Sequence, residues 1–146
     1  KWCLISRYHR YQTDSSNVSI TGKNVLEGAA YPDMQELLCA ADVMITDYSS
    51  CVWDYAFLER PCVLFVPDKE EYVEKTGFYV GLDEWPFPQT RTVDTLCDEM
   101  EKLLSDKNAK EEYDKGVKAH LTALGSYETG EAAKGVAQRI KEKIYG

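Results

Sequence analysis

Residues 41–56, ADVMITDYSSCVWDYA, decide the fold. VMIT (43–46) is an apolar run between Asp42 and Asp47, the pattern of a strand buried on both faces of a parallel sheet. DYSS (47–50) is a turn of capping residues. A helix is predicted over 51–59, with Val52, Tyr55, Ala56 and Leu58 facing inward. Arg60-Pro61 ends it, because proline disfavours a helical residue before it. CVLFV (62–66) then reads as a second buried strand. On the other side, Asp33 opens a helix in which Met34, Leu37, Leu38 and Ala41 share a face. Helix, strand, helix, strand at these spacings predicts an α/β fold with a parallel sheet and helices on its faces.

Working outward, residues 2–6 read as a strand, 7–16 (RYHRYQTDSS) as a loop and 17–21 (NVSIT) as a weaker strand. Residues 28–32 punctuate. Residues 68–88 read as a long irregular stretch carrying Tyr72, Phe78, Tyr79, Trp85 and Phe87. A functional loop and a core-plugging connection both fit it. Three helices are predicted over 93–104, 109–124 and 131–144. None reads as the basic amphipathic kind used for attachment to a membrane surface, so any such anchoring is expected elsewhere.

The chain has 146 residues, which suits one domain, 1–146. Its formal charge of −8 argues against nucleic acid as a partner, yet backbone amides can still bind a phosphate. Five cysteines, Cys3, Cys39, Cys51, Cys62 and Cys97, are widely spaced with no CxxC pair, and four lie in apolar runs. Buried, reduced thiols are expected, which points to a cytoplasmic setting. No apolar run reaches the roughly 18 residues of a membrane span, and no stretch of these residues reads as a signal peptide. The sequence opens on a strand without an initiator Met and reads as a piece of something longer.

The turn at 47–50 is the place for chemistry. In an open parallel sheet, ligands bind beyond the carboxyl ends of the strands. Ser49 and Ser50 stand where a strand gives way to a helix, and hydroxyls there suit a phosphate cradle. Plain helix capping fits the same residues, and the pattern names no ligand.

At these residues a family resemblance enters. YPDMQELLCAADVMITDYSSCVWDYAFLERPCVLFVPD (31–68) resembles the signature of the CDP-glycerol glycerophosphotransferases, the teichoic acid primases and polymerases. SRYHR (6–10), TGFYV (76–80), DEWPFP (83–88) and GSYETGEAAKGVAQRI (125–140) resemble that family's flanking elements. The resemblance implies a Rossmann-like three-layer domain, the C-terminal, donor-binding half of a glycosyltransferase-B architecture. The implied reaction moves glycerol phosphate from CDP-glycerol to a lipid-linked polymer, releasing CMP. The implied partners are that donor or a related CDP-alditol, the acceptor, and an N-terminal half that supplies a second histidine. The full-length protein is then expected at the inner face of the cell membrane. No resident cofactor is implied; a loosely held Mg²⁺ on the donor is left open.

On this resemblance His9 is the candidate catalytic group, placed beside the donor phosphates. An imidazolium there stabilises charge as CMP leaves, or gives up a proton. Without the family, His9 is a solvated loop side chain. Arg7, two residues away on the same side of an extended segment, pairs with phosphate or with an acid. Ser49 and Ser50 hold phosphate oxygens. Asp47 either shapes the turn or joins the site, and Asp54 either contacts the donor or complements the helix dipole. Glu128 and Gly130 open the last helix, as donor contacts or as ordinary capping. Glu131 departs from the family, where lysine is usual. His120 reads as a surface or packing residue, and the acidic runs 68–71 and 111–112 as solvated faces. The rival readings are a CDP-ribitol or nucleotide-sugar transferase of the same architecture, and a non-catalytic α/β binding module.

Overall fold

The structure, a computed structural model, describes residues 2–8, 22–126 and 128–146. His9, Arg10, the strand expected over 17–21 and Tyr127 lie outside the described residues. The chain packs as two compact units, 1–62 and 63–146.

In the first unit, β1 (Leu4–Ser6) pairs in parallel with β2 (Val25–Glu27), with Leu4 opposite Val25. β2 has no counterpart in the sequence reading, because three residues give too little periodicity. Gly28 closes this pair: its N–H donates to Ser6 O at 2.7 Å. A Cβ at Gly28 would stand 2.8 Å from Ile5 Cγ2 and 3.2 Å from Ser6 O, so the close approach requires glycine.

α1 (Met34–Ala40) begins where predicted, with Asp33 as N-cap accepting from Glu36 N–H at 3.1 Å. Leu38 is its buried residue. β3 (Met44–Thr46) follows, and Met44 N–H donates to Pro61 O at 3.0 Å. α2 (Cys51–Ala56) buries Val52, Tyr55 and Ala56, as the pattern requires. It is shorter than expected. Leu58 and Glu59 close tight turns onto Tyr55 O and Ala56 O, and Glu59 takes a left-handed φ of 53°.

β4 (Cys62–Phe65) is buried along nearly its whole length, as a continuous apolar run demands. It pairs in parallel with β5 (Gln89–Thr90), Leu64 opposite Gln89. Between them the expected irregular stretch contains α3 (Lys69–Lys75) and a 3-10 turn, Leu82–Glu84. α3 buries nothing, so no apolar stripe marked it. Polar contacts hold it, beside the ring of Tyr72. Lys69 Nζ pairs with Asp83 and donates to Gln89 Oε1 at 3.0 Å, and Glu70 pairs with Arg91. The acidic run at 68–71 is therefore partly engaged rather than merely solvated. Phe78 lies between the tilted ring of Tyr72 (5.3 Å) and the edge-on ring of Trp85 (5.8 Å), and Leu82 and Phe87 are core, so core-plugging describes Phe87 among the five aromatics. Tyr79 alone of its aromatics stands fully in solvent.

α4 (Val93–Ser105) starts on a Thr92–Thr95 capping box, and α5 (Lys107–Ala123) on Asp106, which accepts from Asn108 and Ala109 N–H. Leu103, Tyr113 and Val117 bury their inner faces, each worth on the order of 1.5–3 kcal/mol. α6 (Ala132–Tyr145) buries no residue.

All five thiols are free. Only Cys62 is buried; Cys51 is half-buried, and Cys3, Cys39 and Cys97 are exposed. This corrects the expectation of buried thiols. In a helix, sequence neighbours of a core residue lie on other faces, so an apolar run around Cys39 or Cys97 does not imply burial. Among the described residues, no helix is long and apolar enough to cross a membrane.

Candidate functional site

The turn between β3 and α2 builds itself from its own side chains. Asp47 Oδ1 accepts from Ser49 N–H at 3.2 Å, so Asp47 shapes the turn. Ser49 Oγ accepts from Cys51 N–H at 3.4 Å and from the Cys51 thiol at 3.0 Å. With its lone pairs taken, the Ser49 hydroxyl proton is left to donate outward. Val52 N–H and Trp53 N–H fold back onto Ser49 O and Ser50 O. These two amides are therefore engaged within the turn.

What stays open is Ser50. It is exposed and in N-cap position, yet its side chain makes no capping bond. Among the described residues neither its N–H nor its Oγ makes a hydrogen bond. Ser50 thus presents two neutral donors to solvent, with the Ser49 hydroxyl one residue away. That is a donor set for an anionic oxygen. Asp54 is exposed in the first turn of the same helix.

The turn is held from behind. Tyr55 is fully buried and donates its hydroxyl to Ala41 O at 3.0 Å. Burial pushes its pKa up to about 12, against the opposing pull of Arg60. Arg60 Nη1 donates to Cys39 O at 2.7 Å and to Ala41 O at 2.6 Å. Sequence reasoning gave these two residues no part in the site. In the sequence Arg60 reads only as a helix end, and a side-chain grip on carbonyls some twenty residues away leaves no local pattern.

Arg7 is also committed to backbone. Its Nη1 donates to Gly28 O at 2.8 Å and to Tyr31 O at 2.7 Å. These bonds fasten the segment after β2. Nearby, the hydroxyl of Tyr31 donates to Glu36 Oε2 at 2.5 Å, which raises the tyrosine pKa.

In the second unit, Gly130 has a left-handed φ of 79°, and its N–H donates to Glu128 Oε1 at 2.6 Å. Glu131 makes no capping bond and pairs with Lys134 at 2.8 Å. Glu128 therefore closes the turn before α6 by capping an amide. His120 lies half-buried on α5, in keeping with a packing role.

Comparison with known proteins matches this frame. A model of the family described as CDP-glycerol:poly(glycerophosphate) glycerophosphotransferase matches residues 1–142. A teichoic acid poly(glycerol phosphate) polymerase of Bacillus subtilis (strain 168) is 33% identical over 107 residues, 72% of this chain and 14% of that protein. Its namesake from Bacillus spizizenii is 28% identical over 142 residues, 96% of this chain and 35% of the relative. A teichoic acid ribitol-phosphate primase of Bacillus spizizenii is 30% identical over 108 residues, 73% of this chain and 26% of that protein. Among solved structures, the wall teichoic acid polymerase TagF, as a histidine-to-asparagine variant soaked with CDPG, superposes with a TM-score of 0.76 at 25% identity. The match covers 99% of this chain and 35% of that one. The chain thus spans about a third or less of the relatives it matches. On a match that runs nearly from end to end, over parallel-stranded α/β structure of the Rossmann-like kind, the chain belongs to the CDP-glycerol:poly(glycerophosphate) glycerophosphotransferase family.

Proposed function

We propose that this chain binds the donor in a transferase that moves glycerol phosphate from CDP-glycerol to a hydroxyl of a teichoic-acid-type polymer. The observation that carries the reading is the family match across residues 1–142. In the reaction an acceptor hydroxyl attacks the phosphorus that bears glycerol. The pyrophosphate bond to CMP breaks, CMP leaves with the electron pair, and the hydroxyl proton passes to a base. The donor is a substrate, and no resident cofactor enters this reading. The acceptor and a further half of the protein that helps bind it belong to the proposal too.

The Ser50 N–H and Oγ and the Ser49 hydroxyl are the groups assigned to donor phosphate oxygens. Their open donors support this. His9 is assigned to the developing charge on the resemblance alone. Asp47 and Arg7 are assigned a positioning part, supported by the bonds of Asp47 Oδ1 and Arg7 Nη1 to the local backbone. Calorimetric titration of the chain with CDP-glycerol is the test. Saturable binding that weakens in Ser50→Ala and His9→Ala supports the assignment; binding indifferent to both sinks it.

The ribitol-phosphate primase favours a second reading, with CDP-ribitol as donor, because its match covers 73% of this chain. Titration with CDP-ribitol beside CDP-glycerol separates the two: the tighter ligand names the donor.

A further inference from the structure

Three side chains form a short line across the turn between β3 and α2. Thr46 is the last residue of β3, Cys51 is the first of α2, and Ser49 stands between them in sequence. The Cys51 sulfur lies 4.0 Å from Thr46 Oγ1 and 3.0 Å from Ser49 Oγ. A thiol has one proton, and here it goes to Ser49. The Thr46 hydroxyl is therefore the donor in the longer, weaker contact to sulfur. The protons run one way: Thr46 to Cys51, Cys51 to Ser49, Ser49 outward. Each bond in such a chain polarises the next.

The Cys51 amide also donates to Ser49 Oγ, at 3.4 Å, so one residue supplies both bonds to that oxygen. A serine hydroxyl with open lone pairs rotates to suit whatever is near and serves as acceptor or donor. Facing an anion it must stop as a donor. With both lone pairs filled from one side, the Ser49 proton is left pointing away from Cys51. The amide bond is common to any residue at position 51; the second bond needs a side chain that can donate. We propose that Cys51 is a positioning residue whose thiol fixes the Ser49 hydroxyl as an outward donor to a phosphate oxygen of CDP-glycerol. The inference rests on the reading of Ser49 and Ser50 as phosphate contacts. Cys51 acts through Ser49 and is not itself assigned a contact with the substrate.

Two measurements on the whole chain test it. The infrared S–H stretch of Cys51, isolated by subtracting the spectrum of Cys51→Val, is expected below the free-thiol position and should move toward that position in Ser49→Ala. This readout needs no ligand. Titration with CDP-glycerol is the second. Ser49→Ala is expected to weaken affinity about three- to tenfold. Cys51→Val, which has no proton to give, is expected to weaken it by about as much, and Cys51→Ser, which keeps a donor, to hold it within about twofold. Combined with Ser49→Ala, Cys51→Val is expected to add no further loss. A residue that merely packs would give the opposite order, with valine tolerated and serine not. If Cys51→Val does not fold, Cys51→Ala carries the same comparison. An S–H band that ignores Ser49→Ala overturns the proposal, as does full affinity in Cys51→Val beside a weakened Ser49→Ala. Unchanged affinity in Ser49→Ala with a shifted S–H band is a different failure: it removes Ser49 from the phosphate, and the proposal falls with the donor reading.

Discussion

Tyr55 and Arg60 meet on one oxygen: the tyrosine hydroxyl and the guanidinium both donate to the carbonyl of Ala41, at 3.0 and 2.6 Å. That carbonyl belongs to the C-cap of α1, and Tyr55 reaches it from the last turn of α2. The two helices flanking β3 are thereby tied across the turn that carries Ser49 and Ser50.

Because the oxygen has two donors, losing one leaves it satisfied. Tyr55→Phe is expected to cost about 1 kcal/mol. Arg60→Ala also strips Cys39 O and is expected to cost more, about 1–3 kcal/mol. Urea denaturation of both variants checks the order; a larger loss in Tyr55→Phe would mean that the shared carbonyl is not the link.

Alkaline pH should loosen the same region. Tyr55 has its folded pKa raised from 10.0 to about 12, so the fold favours the neutral phenol. That stability is whole below pH 10 and is lost as pH rises toward 12. Burial also pushes the Cys62 thiol up from 9.0, and its contribution is lost from about that pH upward. The melting temperature should therefore fall from about pH 9, and Tyr55→Phe should flatten only the upper part of the fall.

Gly28 admits no side chain. Gly28→Ala sets a methyl against Ile5 and the Ser6 carbonyl and is expected to cost about 1–3 kcal/mol. Arg7→Ala, which releases Gly28 O and Tyr31 O, is expected to lower stability while leaving nucleotide affinity within about twofold. A large affinity loss in a stable Arg7→Ala protein would return Arg7 to the phosphates.

Glu59 holds a left-handed φ of 53° without being glycine. Glu59→Gly is expected to raise stability by about 0.5–1 kcal/mol, read from the denaturation midpoint. No gain would mean that the glutamate side chain offsets its own backbone strain.

The stretch from α1 to β4 was legible because its signals are physical and local: an aspartate cap, an apolar run too short for anything but a strand, a proline after the helix. α3 was not, since in seven residues only Tyr72 and Val73 are apolar, and its hold comes from Lys69 and Glu70 reaching residues far along the chain. At the site, the strand-to-helix turn announced Ser49 and Ser50. Which donors remain open depends on Asp47 and Cys51 turning inward on the backbone and hydroxyl beside them, and no spacing encodes that. The grip of Arg7 on two carbonyls was equally silent, because an arginine near acids reads the same whichever partner it takes.

The distribution of sulfur has a practical side. Cys3, Cys39 and Cys97 face solvent, while Cys62 has no accessible surface. In air the outer three will cross-link neighbouring molecules, and a thiol reagent will consume them at once. Cys62 will react only when β4 opens. Once the outer thiols and the half-buried Cys51 are blocked, its labelling rate becomes a clock for unfolding, wound into the chain by its own sequence.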